Sequence, residues 1–154
     1  MDIPEFLLMA TELEKHASKL YESLATLSSD PALAKRLKSL ANEEMNHASI
    51  LSMGMNYYKG MPDAFSGTRM DDEELWAGIE EAKRFQAILV PGFNLLDGLH
   101  KMLEFEKRFE KVHLDTSVKV VEPSLRKLFL DLMRGDQSHI LILKELINSF
   151  GKDV

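Results

Sequence analysis

The chain has 154 residues, a net charge of −6 and no cysteine. One domain of this length can bury a real core; the acidic balance argues against a general nucleic-acid binder, whose affinity rests on neutralising phosphates; and the lack of cysteine removes disulfides, thiolate zinc sites and iron–sulfur clusters. The opening Met1-Asp2-Ile3-Pro4-Glu5 has no positive run of the kind that begins a signal peptide, and no apolar run approaches the ~20 residues that cross a bilayer, so the expected setting is soluble and cytoplasmic.

From about Pro4 to Leu27 the residues Phe6, Ala10, Leu13, Ala17, Leu20 and Leu24 recur at steps of four and three, one helical stripe with Pro4 tolerated in the first turn. Ser28-Ser29-Asp30-Pro31 is a stop and a start, because Asp30 suits an N-cap and Pro31 the first helical position. A second helix then runs from Pro31 to about Tyr58 through Leu33, Leu37, Leu40, Glu44, His47 and Leu51. So short a connection makes an antiparallel hairpin. Gly60-Met61-Pro62-Asp63 breaks the pattern and 64–70 reads as irregular. Asp71-Asp72-Glu73-Glu74 opens an acidic helix N-terminus, favoured by the helix dipole, that leads through Leu75, Trp76 and Ile79 to about Leu89. After Pro91-Gly92 a long helix covers about Asn94 to His113, carrying Leu99, Met102, Leu103, Phe105, Phe109 and Val112. Glu122-Pro123 repeats the cap-and-start signal, and a last helix reaches Phe150, closed by Gly151. No segment carries a strand signal, so the fold class is all-α.

A displacement of 92 residues lays the chain on itself without a gap. It matches Glu12 with Glu104, Glu14 with Glu106, Lys15 with Lys107, Pro31 with Pro123, Leu40 with Leu132, Glu44 with Asp136 and His47 with His139. The organisation that follows is one domain: hairpin one over 4–58, a crossover over 59–92 with a short extra helix, and hairpin two over 93–151. Packed face to face, the hairpins make a four-helix bundle with pseudo-two-fold symmetry.

The repeated residues include the chemically costly ones. Glu44 precedes His47 by three, and Asp136 precedes His139 by three; on a helix that spacing puts both side chains on one face, where they can share a metal ion. Thirty residues separate Glu14 from Glu44 and Glu106 from Asp136, so in each hairpin the upstream glutamate comes level with the downstream pair. Four carboxylates and two imidazoles would then meet inside the bundle. Without a cation such a cluster is costly, since buried carboxylates must either repel or take up protons. Two divalent ions would balance the four negative charges. Hard oxygen and imidazole donors without thiolate suit iron or manganese, and zinc also binds such sets. Glu12, Glu104 and Glu43 read as solvent-facing or supporting residues; the counterpart of Glu43 is Gly135, and Asp136 after Gly135 also reads as a possible kink in the last helix. The nine methionines read as core filler.

The pattern Glu14, Ala17, Tyr21 followed by Glu44 and His47, echoed by Glu106, Asp136 and His139, resembles rubrerythrin and the wider ferritin-like diiron-carboxylate proteins. The resemblance covers both hairpins. It implies a four-helix bundle with two non-haem irons, Glu14 and Glu106 as terminal carboxylates, Glu44 and Asp136 as bridges, and His47 and His139 as one ligand to each iron. This chain departs from the family in lacking the cysteine-bearing rubredoxin domain, in having Asp136 where a glutamate is expected, and in placing Phe109 and His113 where hairpin one has Ala17 and Tyr21. Tyr21 and His113 are then expected beside the ligands, His113 either as a supporting partner or as a seventh ligand. The implied activity is reduction of peroxide or dioxygen with electrons from an external donor such as a rubredoxin-type protein, in a homodimer. Two alternatives stand beside it: iron binding and oxidation for storage or transfer, and a bundle with a structural metal.

Overall fold

The computed structural model describes residues 2–60 and 72–150. The expected break at 61–63, the irregular stretch 64–70, Asp71 and the closing Gly151 lie outside the described residues. Within them are five helices and no strand: α1 (Ile3–Leu27), α2 (Pro31–Lys59), α3 (Glu73–Ile88), α4 (Leu95–Lys119) and α5 (Pro123–Phe150). The molecule is an all-α bundle. Among the described residues no helix is long and apolar enough to cross a membrane.

Local chemistry sets the helix ends. Asp2 and Glu5 form a reciprocal capping box at the start of α1. Asp30 accepts from the amide of Ala32 at 2.9 Å with Pro31 at the first position of α2, and Asn94 accepts from the amide of Asp97 at 3.0 Å at the start of α4. Glu122 accepts from the amide of Leu125 at 2.7 Å, as the second cap-and-start signal predicts. The 92-residue displacement carries both ends of α1 onto those of α4 and the start of α2 onto that of α5.

One boundary differs from the sequence reading. α4 does not stop near His113 but continues to Lys119. Its inward face there is made by Thr116 and Ser117, both buried, whose hydroxyls donate back to the carbonyls of Val112 at 2.7 Å and Leu114 at 2.6 Å. Small polar residues that satisfy themselves on their own helix can occupy a buried face without an apolar stripe.

α1 packs along α2 and α4 along α5, and the two hairpins meet through α1 with α4 and α2 with α5. The crossover helix α3 lies against α1. Gln86 near its C-terminal end donates to Ser23 at 2.6 Å, and Gly78 at its middle sits under Phe109 and Leu13, so α3 runs the length of the bundle and delivers the chain to the far end, where α4 begins with Gly98 against Leu24. Layers of buried apolar residues fill the interior on both sides of its middle: Leu20, Leu24, Leu37 and Leu99 on one side, Phe6, Leu51, Leu125 and Phe129 on the other. Full burial of a side chain of this kind is worth roughly 1.5–3 kcal/mol. Those layers hold the fold together around a middle that is not apolar at all.

Candidate metal centre

Each of the four long helices contributes to that middle. α1 turns in Glu14, Ser18 and Tyr21, α2 Glu44 and His47, α4 Glu106 and His113, and α5 Asp136 and His139. The four carboxylates, His113 and His139 are at most 4% exposed; His47 is nearly so, its side chain 15% exposed. Ser18 donates to the carbonyl of Ala41 at 2.8 Å and ties α1 to α2 beside the cluster.

The geometry resolves into two groups that share a member. Glu14, Glu44 and His47 offer ligand atoms within 4.8 Å of one another, and so do Glu44, Glu106 and His139. Glu44 faces both ways: Oε2 lies 3.2 Å from Nδ1 of His47 and Oε1 lies 2.8 Å from Nδ1 of His139. Glu14 stands 3.7 Å from His47 Nδ1 and Glu106 stands 3.2 Å from His139 Nδ1. The two imidazoles stack nearly parallel, with centroids 5.5 Å apart and 17° between planes.

Asp136 is not in either group. Its Oδ2 lies 2.5 Å from Nδ1 of His113, whose other nitrogen is 3.3 Å from Glu14. His113 is therefore a clamp between two carboxylates. Tyr21 does the corresponding job from the other hairpin, donating its hydroxyl hydrogen to Glu106. The two contacts are related by the same 92-residue step, Tyr21 to His113 and Glu106 to Glu14, so the repeat holds for the supporting contacts as well as for the ligand types.

The protonation states follow from this crowding. Burial pulls the His47 imidazole down, but the neighbouring carboxylates of Glu14 and Glu44 outweigh it and raise the ring to about 10. His139 is likewise pulled down by burial and lifted by Glu106 and Glu44 to about 12. His113 is opposed by burial and raised well above the usual range by Asp136 and Glu14. Among the carboxyls, burial and the neighbouring Glu106 and Glu14 push Glu44 well up. Burial also lifts Asp136 to about 7 against the pull of His113. Glu14 goes the other way, held below the ordinary carboxylate range because His113 and His47 outweigh its burial. Burial and the carboxylates around it, Glu106 first, push Tyr21 well up, so the phenol stays protonated and acts only as a donor to them.

The donor set fits a pair of divalent cations. Glu44 Oε1 is fully buried yet accepts no hydrogen bond: His139 Nδ1 approaches it, but the hydrogen bond of that nitrogen runs to Glu106. A buried carboxyl oxygen left without a donor in the interior is costly and is what a cation would satisfy. Carboxylate oxygen with imidazole nitrogen and no thiolate is the ligand chemistry of iron, manganese and zinc.

Two residues play a larger part than their sequence context indicated. Glu43 sits 2.7 Å from Nε2 of His139, across from the other hairpin. Its repeat partner Gly135 faces His47 in the corresponding place, so close that a Cβ there would stand 2.6 Å from the ring. The helix passes through Gly135 without interruption, and the glycine makes room for the ring. The only sequence mark of either position is that each stands immediately before a carboxylate of the repeat, Glu44 or Asp136. No protein-family model, no curated protein and no solved structure matches this chain.

Proposed function

We propose that the chain is a non-haem diiron oxidoreductase of the rubrerythrin and ferritin-like class, which reduces peroxide or dioxygen with electrons from an external donor such as a rubredoxin-type protein. The observation that carries this reading is the pair of carboxylate–imidazole groups joined through Glu44 in the buried middle of the bundle. Glu14, Glu44 and His47 would hold one ion and Glu44, Glu106 and His139 the other, with manganese or zinc as substitutes for iron. Bound there, two ferrous ions supply the two electrons that, with two protons, take hydrogen peroxide to two molecules of water.

The part played by the chain itself is positional and protonic. Tyr21 Oη fixes one oxygen of Glu106, and His113 holds Glu14 and Asp136 by its two nitrogens. A proton held between His113 Nδ1 and Asp136 Oδ2, 2.5 Å apart, would lie in the interior close to the ligands, where reduction consumes protons. The apolar layers above and below exclude bulk water, which strengthens every charge interaction between them. The same reading sets the protein in the cytoplasm as a homodimer, with neither nucleic acid nor membrane as partner.

A second reading is favoured by Asp136. Its carboxylate is engaged by His113 and belongs to neither ligand group, which leaves one shared carboxylate, an arrangement that also suits iron binding for storage or transfer, or a structural metal. Anaerobic ferrous titration followed by stopped-flow absorbance separates these. Two irons per chain and fast near-ultraviolet growth on adding peroxide are expected of the oxidoreductase. Faster oxidation by dioxygen, with iron accumulating beyond two per chain, would indicate storage. Absence of saturable iron binding would overturn the diiron reading.

A further inference from the structure

We infer that the two metal positions are unequal, and that Glu43 is the positioning residue that makes the His139 position the tighter one. The inference rests on the two-metal reading above and concerns what stands behind each histidine.

A neutral imidazole has one N–H and one lone pair, and a metal takes the lone pair. Both rings turn Nδ1 toward the cluster: His139 toward Glu44 and Glu106, His47 toward Glu44 and Glu14. The lone pair is therefore useful only if the hydrogen is on Nε2. For His139 that choice is made by Glu43, whose Oε2 lies 2.7 Å from Nε2. An ionised carboxylate can only accept, so Nε2 must be the protonated nitrogen and Nδ1 the donor to metal. The carboxylate also makes the ring more basic and fixes its rotation, the usual service of a carboxylate behind a metal-bound histidine.

His47 receives no such service. Its Nε2 edge lies over Gly135, where even a Cβ would be 2.8 Å from Nε2 and 2.6 Å from the neighbouring ring carbon. The 92-residue repeat puts Gly135 in the place of Glu43, and among the described residues no carboxylate pairs with His47 Nε2. The His47 side chain is 15% exposed, whereas that of His139 is fully enclosed. Ring closeness leaves no space on that side for an acidic group. The asymmetry behind the two histidines thus comes from the difference between Glu43 and Gly135.

The test is calorimetric titration of the full-length chain with Zn2+, which cannot change redox state. Wild type is expected to bind two equivalents with separate affinities. Glu43→Ala should weaken the tighter equivalent by about 10–100-fold and leave the weaker one in place. Glu43→Gln, whose amide oxygen can still accept from Nε2, should lose less. Glu43 is half exposed, so both variants are expected to fold, as circular dichroism would verify. Ring 15N–1H spectra of the zinc-loaded wild type should show His139 protonated on Nε2 alone, and the Glu43→Ala ring should lose that fixed state; a merely structural role for Glu43 would move neither readout in a position-selective way. Two unchanged affinities in Glu43→Ala, or equal weakening of both, would overturn the inference. Two equal sites in wild type would overturn it alone and leave the two-metal reading standing, whereas a wild-type chain that takes up neither zinc nor iron would remove both.

Discussion

Glu44 is held between two imidazoles with one oxygen toward each, and the other two carboxylates of the paired groups crowd it from both sides. In the metal-free chain its charge is therefore disfavoured, first by burial and then by Glu106 and Glu14. Glutamine keeps the shape and removes the charge. Glu44→Gln should leave the metal-free chain more stable at pH 7, because the ionisation that burial, Glu106 and Glu14 disfavour is no longer at issue. The same change should abolish binding of the pair of ions, because the shared ligand is gone. Urea denaturation with and without Zn2+ measures both: the variant should have the higher metal-free midpoint and no metal-dependent rise. A lower metal-free midpoint would mean that Glu44 is a stabilising ion-pair partner and not a ligand kept at a cost.

At the scale of the helix, Gly54 of α2 and Gly135 of α5 make a controlled comparison. Alanine is better than glycine in a helix interior by about 1 kcal/mol. At Gly54 a Cβ would meet Leu128 at 3.4 Å, an ordinary contact, but at Gly135 it would meet the His47 ring at 2.6 Å. Gly54→Ala should therefore stabilise the chain by up to about 1 kcal/mol, whereas Gly135→Ala should destabilise it by roughly 1–3 kcal/mol through overpacking. Thermal melts of the two variants check the opposite signs. These helices also show how far a sequence can be read. The starts of α2 and α5 were marked by Asp30-Pro31 and Glu122-Pro123, because capping is local chemistry. The end of α4 was hidden, because Thr116 and Ser117 are buried without being apolar, although the repeat itself carries Leu27 onto Lys119. Within the site, the inward placement of Glu14, Glu44, His47, Glu106, Asp136 and His139 followed from spacing alone. The pairing of Asp136 with His113 did not: Asp136 has the same i, i+3 relation to His139 as Glu44 has to His47, and only its shorter reach and the neighbouring α4 ring direct it elsewhere. The Glu43–His139 contact likewise depends on how one hairpin is rotated against the other, which no local pattern encodes.

Across the whole molecule, apolar layers enclose a charged middle, and that arrangement links folding to protons. His47 and His139 have folded-state values of about 10 and about 12 against 6.5 when exposed. Their stabilising contribution in the metal-free chain is complete below pH 6.5 and is lost as pH rises through those values. Asp136 acts in the same sense over a lower window: raised from 3.8 to about 7, it contributes fully below 3.8 and loses that contribution as pH rises through 7. Glu14 opposes them. Its lowered value gives a contribution present above 4.5 that is lost only as pH falls into the acid range, so between pH 6 and 9 it is constant. The metal-free chain should therefore become less stable from pH 6 to pH 9. A bound cation reverses the sign, because it needs neutral imidazoles and ionised carboxylates and so releases the protons that the metal-free site holds. The stabilisation added by Zn2+ should grow over the same interval. Scanning calorimetry at pH 6, 7.5 and 9, with and without saturating Zn2+, reads both slopes: the metal-free midpoint should fall, and the gap to the zinc-loaded midpoint should widen. A metal-free midpoint that rises with pH would show that these histidines are neutral in the folded chain, and that the carboxylates around them are held apart by something other than protons.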